Sequence, residues 1–154
     1  AVSAMHYPPK GVRGVGSALA RSSRWNRVPD YLAIASETVS LTVQIESTEG
    51  VRNAEAIAAI EGVDAVFIGP ADLAADMGYL GQQDHPEVIS SVLDTIDAVR
   101  AAGTRVGVNA FAFAQQQMYL DAGADFIAVG ADVQLLAKAS SDLVRNTRAL
   151  SKKD

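Results

Sequence analysis

Hydrophobic positions along the chain follow two rhythms. Four short runs, 41–46, 65–69, 105–109 and 126–130, are nearly continuous in apolar character and rich in Val, Ile or Phe. Strands buried on both faces read this way, as in a parallel sheet. After each run the apolar residues recur every three or four positions. Thr48 can cap a helix over 49–60, with Val51, Ala54, Ile57 and Ala58 at helical spacing. A second helix, 86–102, puts Val88, Val92, Ile96 and Val99 on one stripe and stops at Gly103. A third spans 111–122 and ends at Gly123. The last, 133–150, has Leu135, Leu136, Leu143 and Leu150 as its apolar side.

The result is a βα unit read four times, which implies a right-handed parallel α/β architecture. Two similar stretches reinforce it: GVDAVFIG (62–69) and GADFIAVG (123–130) both place Gly-x-Asp before an apolar strand and Gly at its end. Residues 1–38 break the pattern. They are Gly- and Pro-rich, then basic, and read as a long loop with one short helix over 29–37. Specialised loops usually hang from a strand, so a strand is expected upstream of this sequence. Residues 39–154 carry the βα repeats, and 1–154 reads as one partial domain. A (β/α)8 barrel needs about 250 residues, so the chain supplies its C-terminal portion, about four βα units. A small open four-stranded α/β domain is the alternative from pattern alone.

Composition narrows the function classes. The chain has 49% hydrophobic and 20% charged residues, a globular balance. Thirteen basic against eighteen acidic residues give a net charge of −5, which disfavours a nucleic-acid partner. The basic cluster Arg13, Arg21, Arg24 and Arg27 reads as a solvated or interface surface, with a small-anion site the lesser alternative. With no cysteine, disulfides, thiolate metal sites and a cysteine nucleophile are excluded. No apolar run approaches the roughly 18 residues that span a bilayer, and AVSAMHYPPKG has no secretory pattern. A soluble cytoplasmic protein is expected.

Parallel α/β proteins carry their sites at the C-terminal ends of strands. Those ends read Gln44-Ile45-Glu46, Gly69-Pro70-Ala71-Asp72, Asn109, and Gly130-Ala131-Asp132. Glu46 and Asp72 close consecutive units, on strands about 4.8 Å apart. Two carboxylates meeting there repel unless a cation sits between them, and a hard ion such as Mg2+ or Mn2+ suits oxygen ligands. They read equally well as helix N-terminal groups with no ligand. Gly69 permits close backbone approach, and the helix start at Pro70 has free N–H groups for an anion. By alternation Gln44 faces the same side as Glu46, for a ligand or for a structural hydrogen bond.

Other residue types carry less. The Gly11–Gly16 stretch lacks the strand of a dinucleotide fingerprint. No lysine among Lys10, Lys138, Lys152 and Lys153 ends a strand, which argues against a Schiff base. His6 and His85 lie beside prolines and read as surface or capping groups. Ser17, Ser22 and Ser23 have no nucleophile-elbow context.

Five segments together resemble the HpcH/HpaI aldolase family: YPPKGVRGVGSALARSSRWNRVPDYL (7–32), VQIES (43–47), GVDAVFIGPADLAADMGYLG (62–81), HPEV (85–88) and GADFIAVGAD (123–132). The resemblance implies a (β/α)8 barrel and a class II, metal-dependent aldolase that cleaves 4-hydroxy-2-oxo acids, or related 2-dehydro-3-deoxy sugar acids, to pyruvate and an aldehyde. It implies Glu46 and Asp72 as ligands of a divalent metal (Mg2+, Mn2+ or Co2+). It places Gln44, Ala71 and Asp72 against the pyruvate part. It also implies a homo-oligomer, a hexamer with exchanged C-terminal helices. The family's catalytic His and enolate-stabilising Arg belong to N-terminal strands outside this sequence, so no catalytic acid–base residue is expected here. The chain would hold the metal half of the site and need the N-terminal half-barrel for turnover. A thioester lyase would need a thioester-binding surface, which the sequence does not display. An inactive fragment or assembly partner is the non-enzymatic reading.

Overall fold

A computed structural model of the chain describes residues 1–16 and 19–150. Four strands, β1 (Thr42–Ile45), β2 (Ala65–Ile68), β3 (Arg105–Asn109) and β4 (Phe126–Ala128), form one sheet in the order β1-β2-β3-β4. Every pairing is parallel. Parallel neighbours require crossovers, and helices supply them. α3 (Thr48–Arg52) and α4 (Ala54–Ala58) join β1 to β2, and α5 (Pro70–Asp76) and α6 (Pro86–Ala101) join β2 to β3. α7 (Phe113–Asp121) joins β3 to β4, and α8 (Asp132–Leu150) follows β4. Before the sheet come α1 (Val2–Met5), a 3-10 turn at Arg21–Ser23, and α2 (Tyr31–Ile34) running into a second 3-10 turn, Ala35–Glu37. Among the described residues no strand precedes β1. The four-unit parallel α/β expectation therefore holds, and the arrangement is that of part of a (β/α)8 barrel.

The core lies on one face of the sheet. Ile45, Val66, Ile68, Val106 and Val108 pack with Ala54 and Ala58 of α4, Leu73 of α5, Val92, Ile96 and Val99 of α6, and Tyr119 of α7. The four positions predicted as the apolar stripe of α6, Val88, Val92, Ile96 and Val99, are all buried, and the helix runs through sixteen residues. Among the described residues no helix of the βα units packs on the opposite face. That face carries Thr42 and Gln44, then Phe67, then Arg105, Gly107 and Asn109, then Phe126 and Ala128, as the register dictates. The Phe67 and Phe126 rings stack across Gly107 with centroids 6.0 Å apart. A Cβ at Gly107 would fall 2.2 Å from the Phe126 ring.

The Gly-x-Asp repeat has a mechanical meaning. Gly62 and Gly123 both sit at φ +94°, where glycine is favoured. Each following aspartate then locks the start of its own strand to the preceding one. Asp64 accepts from the Leu41 N–H at 2.6 Å, and Asp125 accepts from the Val106 N–H at 2.8 Å. The Asp64 and Asp125 N–H groups return bonds to the carbonyls of Leu41 and Val106.

Three local expectations are corrected. The helix predicted over 49–60 is two short helices that meet at Asn53, whose own N–H closes both the Glu49 and Gly50 turns. Its cap is Ser47, not Thr48: the Ser47 hydroxyl accepts from the Gly50 N–H at 3.1 Å, while Thr48 is helical and turns its hydroxyl elsewhere. The third helix starts at Phe113 rather than Phe111, because Ala112 is extended.

Candidate functional site

β1 and β2 lie side by side with Ile45 opposite Ile68, so Glu46 and Gly69 leave the sheet next to each other. Ile45 is 1% exposed and anchors the end of β1. Glu46 then faces the open side, and the Gln44 amide, two residues back on the same face, donates to its carboxylate. This confirms the side on which Gln44 was expected. A Cβ at Gly69 would come within 2.9 Å of the Gln44 amide nitrogen and 3.1 Å of a Glu46 oxygen. The Gln44–Glu46 pair thus packs closely over Gly69 at the start of α5, in the place a larger residue's Cβ would take.

α5 opens with Pro70 at its first position and closes its first turn by the Leu73 N–H bonding to the Gly69 carbonyl. Proline has no N–H to lose at this place. Ala71 and Asp72 follow, both exposed, in the positions whose N–H groups have no acceptor inside a helix. Pro70, Leu73 and Ala74 are buried and fix the rotation of the helix. Asp76, one turn past Asp72, shows which way that face looks. Its carboxylate accepts from both the N–H and the hydroxyl of Thr48, each at 2.7 Å. Residues four apart share a helix face, so the face bearing Asp72 is turned toward the chain that leaves β1 with Glu46. Asp76 is the residue that strand-end reasoning missed. Only its contact with Thr48 reveals it.

The donor chemistry selects among metals. Among the described residues no cluster of three or more His, Cys, Asp or Glu could hold an ion. The pair Glu46 and Asp72 offers hard oxygen ligands on neighbouring segments and leaves the rest of a coordination shell to water and substrate. That suits Mg2+ and similar ions, which are commonly held by one or two carboxylates. It does not suit ions that need thiolate or imidazole cages.

The remaining sequence candidates settle as follows. Arg13 is occupied: it donates to the Tyr31 hydroxyl at 3.0 Å and lies 4.8 Å over the Tyr7 ring. Hydrogen bonding from Ser22, and then from Arg13, holds the Tyr31 phenol below the ordinary tyrosine value. Arg21, Arg24 and Arg27 are exposed on a turn in which Arg24, Trp25 and Asn26 all have positive φ. The buried Ser23 hydroxyl supports that turn, donating to the Ala20 carbonyl and accepting from the Asn26 N–H. His85 caps α6, its Nδ1 accepting from the Glu87 N–H at 3.3 Å, and stacks on Tyr79 at 3.8 Å. The Glu87 carboxylate beside Tyr79 raises that phenol. Asn109 stands exposed at the end of β3, on the open face. Lys138 is paired with Asp142 at 2.7 Å. Ser17, Lys152 and Lys153 lie outside the described residues. α8 buries none of its residues: Leu135, Leu136 and Leu143 are all exposed. No helix among the described residues is long and apolar enough to cross a membrane.

Comparison with known proteins places the chain in a family. The family model described as HpcH/HpaI aldolase/citrate lyase matches residues 1–139. A 4-hydroxy-2-oxo-heptane-1,7-dioate aldolase of Shigella sonnei is 52% identical over 146 residues, covering 93% of this chain and 55% of the relative. The protein of the same description from Salmonella paratyphi A is 50% identical over 143 residues, again 93% of this chain and 54% of the relative. Among solved structures, an HpcH/HpaI aldolase/citrate lyase family protein from Burkholderia cenocepacia superposes with a TM-score of 0.84 at 38% identity, covering 96% of this chain and 58% of that one. The chain thus spans about half the length of the curated relatives it matches.

Proposed function

The chain belongs to the HpcH/HpaI aldolase/citrate lyase family, and on that premise we propose that it supplies the metal-holding part of a carbon–carbon lyase. The complete barrel would cleave 4-hydroxy-2-oxo acids, such as 4-hydroxy-2-oxoheptanedioate, to pyruvate and an aldehyde. The observation that carries this reading is the Gln44–Glu46 pair packed over Gly69 beside the helix face of Asp72. Glu46 and Asp72 hold a divalent cation, Mg2+, Mn2+ or Co2+. When bound, that ion supplies Lewis-acid stabilisation of the negative charge that develops on the pyruvate part.

The chain's own residues do the rest of the binding. Gln44 fixes the orientation of the Glu46 carboxylate through its amide, and its position on the open face lets it reach the same ligand. Ala71 and Asp72 present unpaired N–H groups at the start of α5, which favour the substrate carboxylate. We assign proton transfer to groups of the other half-barrel. Exposed leucines along α8 need a cover in water, and we assign that cover to a neighbouring subunit of a homo-oligomer.

The test is pyruvate release from 4-hydroxy-2-oxoheptanedioate by a complete barrel that contains this chain. Chelation should abolish release, and Mg2+, Mn2+ or Co2+ should restore it. Full turnover after chelation, or after Asp72→Asn, would refute the metal reading.

A further inference from the structure

The two carboxylates of the site ride on different pieces of chain, and one contact ties those pieces together. Asp76 ends α5, and a single oxygen of its carboxylate accepts from the Thr48 N–H and the Thr48 hydroxyl, both at 2.7 Å. Thr48 opens α3 two residues after Glu46. On the other side of Glu46, Ile45 is locked in the core. Glu46 therefore spans a short gap between two fixed points. The second of them is fixed to the helix that carries Asp72.

We propose that Asp76 is a positioning residue that holds the Glu46 segment against α5, so that Glu46 and Asp72 converge on one divalent cation. The proposal rests on the metal reading above. Asp76 itself touches neither metal nor substrate. Hydrogen bonds to a charged acceptor are short and directional, and two of them on one residue leave Thr48 little freedom to slide. Small divalent ions tolerate little departure from ideal geometry. A displacement of Glu46 that would be harmless in a plain loop would therefore cost affinity here. Thr48 also contributes one of the unpaired N–H groups at the start of α3, so Asp76 doubles as a cap for that helix. A cap alone would alter stability and leave metal binding where it was.

The experiment measures Mn2+ binding by paramagnetic resonance of the free ion, in a complete barrel containing this chain, alongside thermal unfolding without metal. Asp76→Ala should weaken Mn2+ binding roughly 10- to 100-fold, the range for residues that orient metal ligands. Asp76→Asn keeps an acceptor oxygen and should recover most of that loss. Thr48→Val keeps the N–H and loses the hydroxyl, and should weaken binding several-fold while folding normally. It decides the matter if Asp76→Ala does not fold. Glu46→Gln and Asp72→Asn serve as references. If these two abolish Mn2+ binding while Asp76→Ala and Thr48→Val bind like the parent, the positioning role is overturned and the metal site stands. If Glu46→Gln and Asp72→Asn also bind like the parent, the metal reading falls and the positioning role with it. Lowered thermal stability with unchanged Mn2+ affinity likewise reduces Asp76 to a cap and overturns the proposal.

Discussion

On one side of the sheet Val66, Ile68, Val106 and Val108 are completely buried beneath α5 and α6; on the other side Gln44 of β1, Arg105 and Asn109 of β3 and Phe126 of β4 stand exposed. The covered face is aliphatic, because helices close it and any polar atom there would need a partner. The open face mixes amides, a guanidinium and aromatic rings, and its upper end carries Glu46 beside Gly69. In a closed barrel this face lines the interior, and its C-terminal rim is where barrel chemistry sits. Alternation along a strand thus separates two tasks at a spacing of one residue. Substitutions on the covered face should act on stability, and those at the rim on chemistry.

The sharpest way to break that division is a pair of substitutions on β2 and the helix that follows it. On the proposed metal reading, Asp72→Asn removes a charged ligand from an ion whose stabilisation is worth several kcal/mol, so turnover of the complete barrel should fall about 1,000-fold or more. Its urea midpoint should stay near that of the parent, because Asp72 is exposed. Ile68→Ala lies four residues away, and its side chain is fully buried. It should cost roughly 2–5 kcal/mol of stability, with turnover per folded molecule retained. If Asp72→Asn destabilises as much as Ile68→Ala, the two faces do not divide the work.

The covered face was also the face most legible in the sequence. Continuous apolar runs located all four strands, and the Val88, Val92, Ile96, Val99 stripe located α6 to within a residue at its end. Burial imposes these patterns, so they can be read back. The rim was legible only in part. Strand ends picked out Gln44, Glu46, Ala71 and Asp72 by position, but not Asp76, whose role depends on a contact with Thr48 twenty-eight residues away. Thr48 and Ser47 were confused for the same reason. Both are good caps; the Ser47 hydroxyl takes the Gly50 N–H while Thr48 is drawn to its tertiary partner. The left-handed run Arg24–Trp25–Asn26 contains no glycine to announce it; the buried Ser23 hydroxyl and backbone bonds to the Ala20 and Ser23 carbonyls support it.

α8 belongs to neither face, and it extends the comparison to assembly. Its apolar side was expected from the leucine spacing, and the structure leaves it uncovered: Leu136 is 71% exposed and Leu143 68%. Leu136→Glu with Leu143→Glu should shift the complete barrel to smaller assemblies in analytical ultracentrifugation. Its far-UV circular dichroism should stay the same, because the pair contributes nothing to the core of its own chain. Unchanged sedimentation would remove α8 from the interface.

A smaller effect is expected at Gln44, which would carry no charge to the proposed ion. One neutral hydrogen bond contributes about 0.5–1.5 kcal/mol, so Gln44→Ala should weaken inhibition by pyruvate roughly 3- to 10-fold. The loss should appear mainly in binding, with turnover at saturating substrate much less affected than in Asp72→Asn. An equal loss in both would mean that Gln44 acts through Glu46 rather than on the ligand.

The smallest effect concerns pH, and it isolates the Asp76–Thr48 tie from the metal. The Thr48 backbone N–H, then its hydroxyl, hold the Asp76 carboxylate below the ordinary aspartate value, and the Arg52 charge adds to this. A depressed folded-state value means that the ionised form is favoured by folding. Its stabilisation is therefore fully present above the unfolded value of about 3.9. As pH falls through the lower folded value, the proton binds and the stabilisation is lost. Asp76 is exposed, so salt and solvent screen the effect. The Thr48 amide resonance should report it directly in metal-free protein, shifting with a midpoint below the ordinary aspartate value and staying still in Asp76→Asn. The stability difference between parent and Asp76→Ala should likewise be constant at neutral pH and shrink in acid. A Thr48 amide that titrates at or above the ordinary aspartate value would show that the two bonds do not hold in solution. The rim would then lose the anchor on which its geometry depends.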